Sequence, residues 1–363
     1  MKYDNKKIII ATGGTGGHIF PSLSLAEFFN SKYQVEIVTD QRGLKYLNNY
    51  KKSNIKIINS GTVFKKNILG VFLGITKVIY SFISSIFLIV KSRPKLVIGM
   101  GGYSSFPICV AAYFLRIPII IYENNLIIGK ANKFLLPIVK KILVSTNDIK
   151  GISSKYTKKI FLSGYLIRNH ILHLKKDKIE LSDEKNLSIL IMGGSQSAKI
   201  FGELLPNIIV KCLKSGIKIR IYQQCLDNQI DKINKIYKEA KLDFDLFSFT
   251  DDISKYYKVA DLAITRSGAS SLAELINLRI PFIAVPLPSA ADNHQFINAN
   301  YFKEKGYCFL LEERFVSVKL FEMLKDLKKD EKKLFLIKKK MSEHSDIDAF
   351  YKVETLIEKI INE

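Results

Sequence analysis

The sequence is short of acidic residues. Against 56 Lys and Arg stand 34 Asp and Glu, leaving a formal charge of +22 at pH 7 over 363 residues. Such an imbalance implies attraction to something anionic: nucleic acid, an acidic membrane surface or a phosphorylated substrate. The Lys, Ile and Asn excess is spread along the whole chain, so a background compositional bias is an equal alternative for part of the charge. With no recognisable motif and no clustered basic-aromatic surface, no nucleic-acid partner is expected. Cysteine is also scarce. Cys109, Cys212, Cys225 and Cys308 are scattered, with no CxxC and no His pair at metal-ligand spacing, so unpaired thiols in a reducing compartment are expected. Near the N-terminus the apolar run is only Ile8, Ile9 and Ile10, too short for an export signal, which predicts a cytoplasmic protein. What is present is a globular composition, 47% hydrophobic and 25% charged, at a length that suits two domains.

Lys7 to Ala11 reads as a buried strand running into the glycine loop Thr12–His18, followed by a helix from about Phe20 to Phe29. Further strands are predicted at Val35–Thr39, Lys56–Asn59, Leu96–Met100, Pro118–Tyr122, Lys141–Ser145 and Ile160–Ser163, most of them alternating with helical segments. That alternation predicts an α/β domain, a doubly wound parallel sheet. From Gly164 to Asn186 the pattern lapses into a charged linker. Leu187 to Met192 and Gly193–Ala198 then repeat the opening strand and glycine loop, with more strands at Ile217–Tyr222, Phe244–Phe249, Leu262–Thr265, Phe282–Val285 and Cys308–Leu311. The expected organisation is a Rossmann-like domain over 1–165, a second over 166–343, and a closing helix over 344–363 packing back on the first. Because ligands bind at the carboxyl ends of parallel strands, the site is expected in a cleft between the two.

Four stretches carry candidate chemistry. In Leu262–Glu274 an apolar strand turns through Arg266-Ser267-Gly268 into a helix starting near Ser270-Ser271, where unpaired N–H groups and the helix dipole suit a diphosphate. Glu274, one turn further in, is placed to accept hydrogen bonds from a ribose; equally, Ser271-x-x-Glu274 fits a capping box that needs no ligand. The loop Gly13–His18 also suits a phosphate, but it is neither a P-loop, lacking Lys-Ser or Lys-Thr, nor a dinucleotide fingerprint, since the third glycine position falls on Ile19. Asp40, ending the second strand, keeps the dinucleotide reading open. His18 presents an imidazole suited to a general base or to a diphosphate contact, or else simply caps the helix. Asp243-Phe244-Asp245 matches a metal-binding DxD pattern, yet it begins a strand rather than ending one, so a solvated strand start and no metal are expected. Ile68–Val90 has Lys77 as its one charged residue, with Gly70, Gly74, Lys77, Ser81 and Ser84 on one helical stripe. The interior Lys argues against a membrane span, and a crossover helix, buried or dipping into lipid, is expected. The flanking Lys65, Lys66, Lys91, Arg93 and Lys95 suit an anionic bilayer.

Taken together, TGGTGGH at Thr12–His18, GMGGY at Gly99–Tyr103, GGSQ at Gly193–Gln196, RSGA at Arg266–Ala269 with Glu274, and DNHQ at Asp292–Gln295 resemble the MurG-type transferases of bacterial cell-wall synthesis. The resemblance runs from Ile8 to about Asn300. It implies the two-domain GT-B fold and transfer of N-acetylglucosamine from UDP-N-acetylglucosamine to a polyprenyl-diphosphate-linked N-acetylmuramyl-pentapeptide, with inversion, no metal and no cofactor. It further implies that Thr15, Gly16, Gly17, Asn125 and Arg168 contact the donor sugar nucleotide, with Ser195 and Gln196 near its phosphates. Thr250 would meet the uracil, Arg266 and Ala269 to Ser271 the diphosphate, Glu274 the ribose, and His294 with Gln295 the sugar hydroxyls. Thr15 and His18 with Gly101, Gly102 and Tyr103 would face the lipid-linked acceptor, and His18 is the candidate base. Implied partners are the donor, the acceptor, an anionic membrane surface and other cell-wall and division proteins, at the cytoplasmic face of the inner membrane. Three positions depart from the family pattern: Tyr165-Leu166 replace Asn-Pro before Ile167-Arg168, Ser197 replaces a glycine, and Gln223 replaces a histidine.

Overall fold

Ile8, Ile9 and Ile10 have no exposed surface. A strand apolar on both faces needs cover on both, the condition of a parallel strand between layers of helices. In the computed structural model, which describes residues 6–47, 50, 54–58, 68–174, 186–193, 198–248, 250, 252–330 and 332–363, this segment is β1 (Lys7–Ala11). The chain divides into two compact units: Met1–Asn169 with Asp346–Glu363, and His170–Ser345.

Unit 1 is a seven-stranded parallel sheet of β1, β2 (Gln34–Thr39), β3 (Ile55–Ile57), β4 (Leu96–Gly99), β5 (Ile119–Glu123), β6 (Lys141–Val144) and β7 (Ile160–Leu162), in the order β3-β2-β1-β4-β5-β6-β7. Its helices are α1 (Gly16–Phe29), α2 (Gln41–Leu44), α3 (Ile68–Ser92), α4 (Ser105–Phe114), α5 (Lys130–Leu135) and α6 (Asn169–Leu172), the last ending across the boundary with unit 2. Unit 2 holds β8 (Leu187–Met192), β9 (Ile219–Gln224), β10 (Asp243–Phe247), β11 (Leu262–Thr265), β12 (Phe282–Ala284) and β13 (Cys308–Leu310), ordered β10-β9-β8-β11-β12-β13. Its helices are α7 (Ala198–Lys214), α8 (Ile230–Glu239), α9 (Ser254–Val259), α10 (Ala269–Asn277), α11 (His294–Glu304), α12 (Val316–Lys329) and α13 (Lys332–Met341). Both sheets reverse strand order beside their first strand, between β1 and β4 and between β8 and β11. In doubly wound sheets ligands gather at the carboxyl ends beside this switch.

The last helix, α14 (Ala349–Asn362), is part of unit 1. Phe28 of α1 stacks on Phe350 with ring centroids 5.3 Å apart, and Lys32 pairs with Glu354 at 3.2 Å and with Glu358. The segment that departs from the family pattern is well seated. Tyr165 N–H donates to the buried carboxylate of Asp346 at 2.9 Å. Leu166 N–H, a donor that the usual proline lacks, bonds Tyr122 Oη at 3.1 Å. The replacement therefore adds a hydrogen bond and leaves no orphaned amide. Gln223, in place of the usual histidine, is fully buried and accepts from Tyr237 Oη at 2.6 Å. Ser197 lies outside the described residues.

In α3 the predicted stripe does not face one way: Lys77 is exposed, Ser84 half-buried and Ser81 buried, and the inward face instead carries Ser81 and Ser85, each bonding the carbonyl one turn back. Small side chains let α3 lie close against α4, with Phe82 meeting Phe114 edge-on at 5.7 Å. The bulky side chains consequently face out, Ile79 at 53%, Phe87 at 72% and Val90 at 55% exposure. Among the described residues no helix is long and apolar enough to cross a membrane. Lys65 and Lys66 lie outside them.

Candidate active site

The loops that the sequence assigned to the acceptor sit at the switch of unit 1. Met100 N–H bonds Ala11 O at 2.8 Å, bringing the loop after β4 onto the loop after β1. Gly101 and Gly102 have φ of +88° and +78°, values that favour glycine. Contact also demands glycine here: a Cβ on Gly102 would lie 2.6 Å from Gly13 O, and one on Gly101 would lie 2.8 Å from Cε1 and Nδ1 of His18. The His18 ring thus packs over the Gly101 backbone, and Tyr103, two residues on, is 41% exposed.

His18 stands two residues inside α1, which begins at Gly16 rather than near Phe20 as the sequence suggested. Pro21 is inside the helix and has no N–H to give Gly17 O, the carbonyl four residues back. That carbonyl instead accepts from the buried Asn124 side chain at 3.0 Å. The loop after β5 thereby holds the first turn of α1, in which Thr15 is the N-cap and Gly16, Gly17 and His18 follow. Neighbouring Asn125 is fixed by Glu123, a carboxylate 3% exposed at the end of an isoleucine strand. Glu123 accepts from Asn125 N, Asn125 Nδ2, Gly129 N and Asn132 Nδ2 at 2.9–3.1 Å. Arg168 lies with its guanidinium carbon 4.9 Å above the Phe20 ring.

Asp40 does not serve a dinucleotide ribose. Its carboxylate accepts from Gly43 N at 2.9 Å and from Arg42 Nη2 at 2.6 Å. Burial pushes its pKa up toward the neutral form, but hydrogen bonds and charge from Arg42, with hydrogen bonds from Gly43 and Gly14, outweigh this and hold it below the usual carboxylate range. Asp40 is a brace for the glycine loop.

Most of the residues that the sequence assigned to the donor sit at the switch of unit 2. After β11 the chain turns through Arg266-Ser267-Gly268, and α10 starts at Ala269 with Gly268 as an N-cap that has no side chain to offer. The first bond within the helix is Leu272 N–H to Gly268 O at 3.1 Å, so Ala269, Ser270 and Ser271 supply the first-turn amides that suit an anion. Helix start and capping-box reading are incompatible: Ser271 is the third helical residue, not the cap. Glu274, in the second turn, is 4% exposed and accepts from Tyr257 Oη at 2.9 Å.

Gln295 and Asn298 brace this corner. Gln295 Oε1 accepts from Ser267 N at 3.1 Å and from Leu287 N at 3.0 Å, and Asn298 Nδ2 donates to Ser267 O at 3.2 Å. His294 begins α11 with Nδ1 2.7 Å from Ala291 O. The two residues before it, Asp292 and Asn293, have φ of +50° and +54°, a left-handed pair tolerated by Asp and Asn and often found where a site stores strain. Thr250 is half-buried, its Oγ1 accepting from Asp252 N at 3.1 Å. Ser195 and Gln196 lie outside the described residues.

Arg266 is a correction. Offered by the sequence as a charge partner for the diphosphate, it is 6% exposed and turned inward. Its guanidinium donates to Val285 O and Pro286 O, both at 3.2 Å, pairs with Glu313, and lies 4.8 Å over the Phe201 ring. The Asp243-Phe244-Asp245 motif starts β10, with Asp243 paired to Arg220 at 3.2 Å, at the opposite end of the strand from the switch.

Sequence reasoning did not single out Tyr257, Asn298, Asn124 or Glu123. Signals existed for two of them: Glu123 closes an otherwise apolar strand, and Asn298 shares the inward face of its helix with Phe302. Nothing local marks Tyr257.

Family models match the chain twice, the glycosyltransferase family 28 N-terminal domain over 8–144 and its C-terminal domain over 188–354. A Pelagibacter ubique protein, named UDP-N-acetylglucosamine--N-acetylmuramyl-(pentapeptide) pyrophosphoryl-undecaprenol N-acetylglucosamine transferase, is 37% identical over 99% of this chain and 99% of its own. The chain belongs to the MurG family. A Rickettsia felis transferase of the same name is 37% identical over 86% of this chain and 88% of its own. The crystal structure of Acinetobacter baumannii MurG superposes with a TM-score of 0.79 at 25% identity, covering 98% of this chain and 100% of that one. GT-B is therefore the fold class, and the chain is a UDP-N-acetylglucosamine-dependent glycosyltransferase.

Proposed function

We infer that the chain transfers N-acetylglucosamine from UDP-N-acetylglucosamine to the 4-hydroxyl of undecaprenyl-diphosphate-linked N-acetylmuramyl-pentapeptide, inverting the anomeric centre. The observation that carries this reading is the near-full-length identity to transferases of that name, combined with a helix start and a buried carboxylate at the unit 2 switch. In the reaction, the 4-oxygen bonds to the anomeric carbon as the bond from that carbon to the diphosphate oxygen breaks, and the hydroxyl proton passes to a base. His18 is assigned that proton. Negative charge growing on UDP is met by the first-turn amides of α10, with Glu274 gripping the ribose and Thr250 the uracil. Arg266 takes no direct part; it holds the corner from behind. Purified protein given labelled UDP-N-acetylglucosamine and the lipid-linked acceptor should move label into the lipid fraction with EDTA present. Tight UDP binding without transfer would overturn the reading.

The outward face of α3 suits peripheral attachment to an anionic bilayer, at the inner membrane's cytoplasmic face. Phe87 and Val90 share α3 with exposed Lys77 and Lys91, and exposed Arg93 follows its end; each such cation contributes about 1 kcal/mol near an anionic surface. Burying one phenylalanine adds roughly 1.5–3 kcal/mol. Phe87→Asp should therefore weaken binding to phosphatidylglycerol vesicles at least about tenfold, with transfer to a soluble short-chain acceptor retained. Unchanged vesicle binding would remove α3 from the contact.

A further inference from the structure

We propose that Tyr257 is a positioning residue of the donor site, holding the Glu274 carboxylate for both ribose hydroxyls and so setting the preference for ribonucleotide over 2′-deoxyribonucleotide donors. The proposal rests on the reading of Glu274 as the ribose grip.

Tyr257 and Glu274 are 2% and 4% exposed, and Tyr257 Oη donates to Oε2 at 2.9 Å. Glutamate has three side-chain torsions to fix, and an ionised carboxylate has about four lone-pair sites. One buried donor on a ring with two torsions settles which oxygen faces which way. The ordering cost is then met before a donor arrives, which improves affinity without any new contact to it.

The support of Tyr257 is itself rigid. It sits on α9, whose first residue, Ser254, donates its N–H to Asp252 Oδ1 at 3.1 Å. The preceding residue, Tyr256, stacks on Phe247 of β10 with ring centroids 4.1 Å apart. Thr250, assigned to the uracil, lies just before this turn, its Oγ1 accepting from Asp252 N. One short helix thus links the base-reading segment to the ribose carboxylate.

The test compares UDP-N-acetylglucosamine with its 2′-deoxyuridine analogue in wild type, Tyr257→Phe, Glu274→Ala and the double variant. In Tyr257→Phe the KM for the ribonucleotide should rise about tenfold, the loss expected for one hydrogen bond to a carboxylate. The value of kcat should stay within about twofold, and the KM ratio of deoxy to ribo donor should fall toward one. A residue that merely fills the core would lower the melting temperature and leave that ratio at its wild-type value, which would overturn the proposal. In the Glu274→Ala background, adding Tyr257→Phe should change neither KM; a further loss there would also overturn it. If Tyr257→Phe fails to fold, the double variant removes both partners of the buried pair, and its equality with Glu274→Ala decides the case. Should Glu274→Ala itself keep full ribose discrimination, the ribose reading fails and the proposal falls with it. Discrimination lost in Glu274→Ala but kept in Tyr257→Phe defeats the proposal alone.

Discussion

His18→Ala is expected to lower kcat by about 10²–10⁴-fold, the contribution of a positioned general base, while UDP affinity stays within about threefold. The ring sits on the first turn of α1 and packs over Gly101, both in unit 1, so removing it takes nothing from the corner of unit 2 assigned to the donor. Gly101→Ala provides the matching positional test: its Cβ would stand 2.8 Å from the ring, and displacing an intact imidazole should reproduce part of the loss. If His18 takes the proton, the acidic limb of the pH–rate profile should vanish in His18→Ala, because a base must be unprotonated to act. A loss below tenfold, or an acidic limb unchanged in shape, would pass the proton to another group.

The architecture was legible because two independent signals agreed along most of the chain. Strands such as Ile8–Ile10 are apolar on both faces, which a parallel sheet requires, and the glycine loops fall where each unit's first strand meets its helix. The error at α1 has a definite source. Local propensity penalises Gly16-Gly17 and reads Pro21 as a helix opening, whereas Asn124, over a hundred positions away, satisfies the carbonyl that Pro21 cannot serve. The donor corner was legible as a strand-loop-helix junction but not in the direction its side chains take. Glu274 and Arg266 are eight positions apart, and both read as ligand contacts. Only tertiary packing places one against Tyr257 and the other against Glu313 and Phe201.

That inward placement of Arg266 gives it a structural cost on removal. Arg266→Ala would leave Val285 O and Pro286 O without their donor and Glu313 without its partner, and would open space beside Phe201. Breaking one side of a buried pair costs about 3–5 kcal/mol; Glu313 is 26% exposed and regains some hydration, so the lower end applies. For a unit of this size about 3 kcal/mol corresponds to a fall of roughly 6–12 °C in melting temperature, read by calorimetry on the transition of unit 2, since a two-unit chain need not unfold in one step. Arg266→Met, which keeps the volume against Phe201 and lets Glu313 turn to water, should recover part of that loss. KM for the donor should rise in Arg266→Ala as the Ser267 peptide loosens at the start of α10, and fall back in Arg266→Met together with the melting temperature. If Arg266→Ala instead melts with wild-type stability and loses UDP binding outright, the guanidinium belongs on the diphosphate after all, and the corner must rearrange when the donor enters.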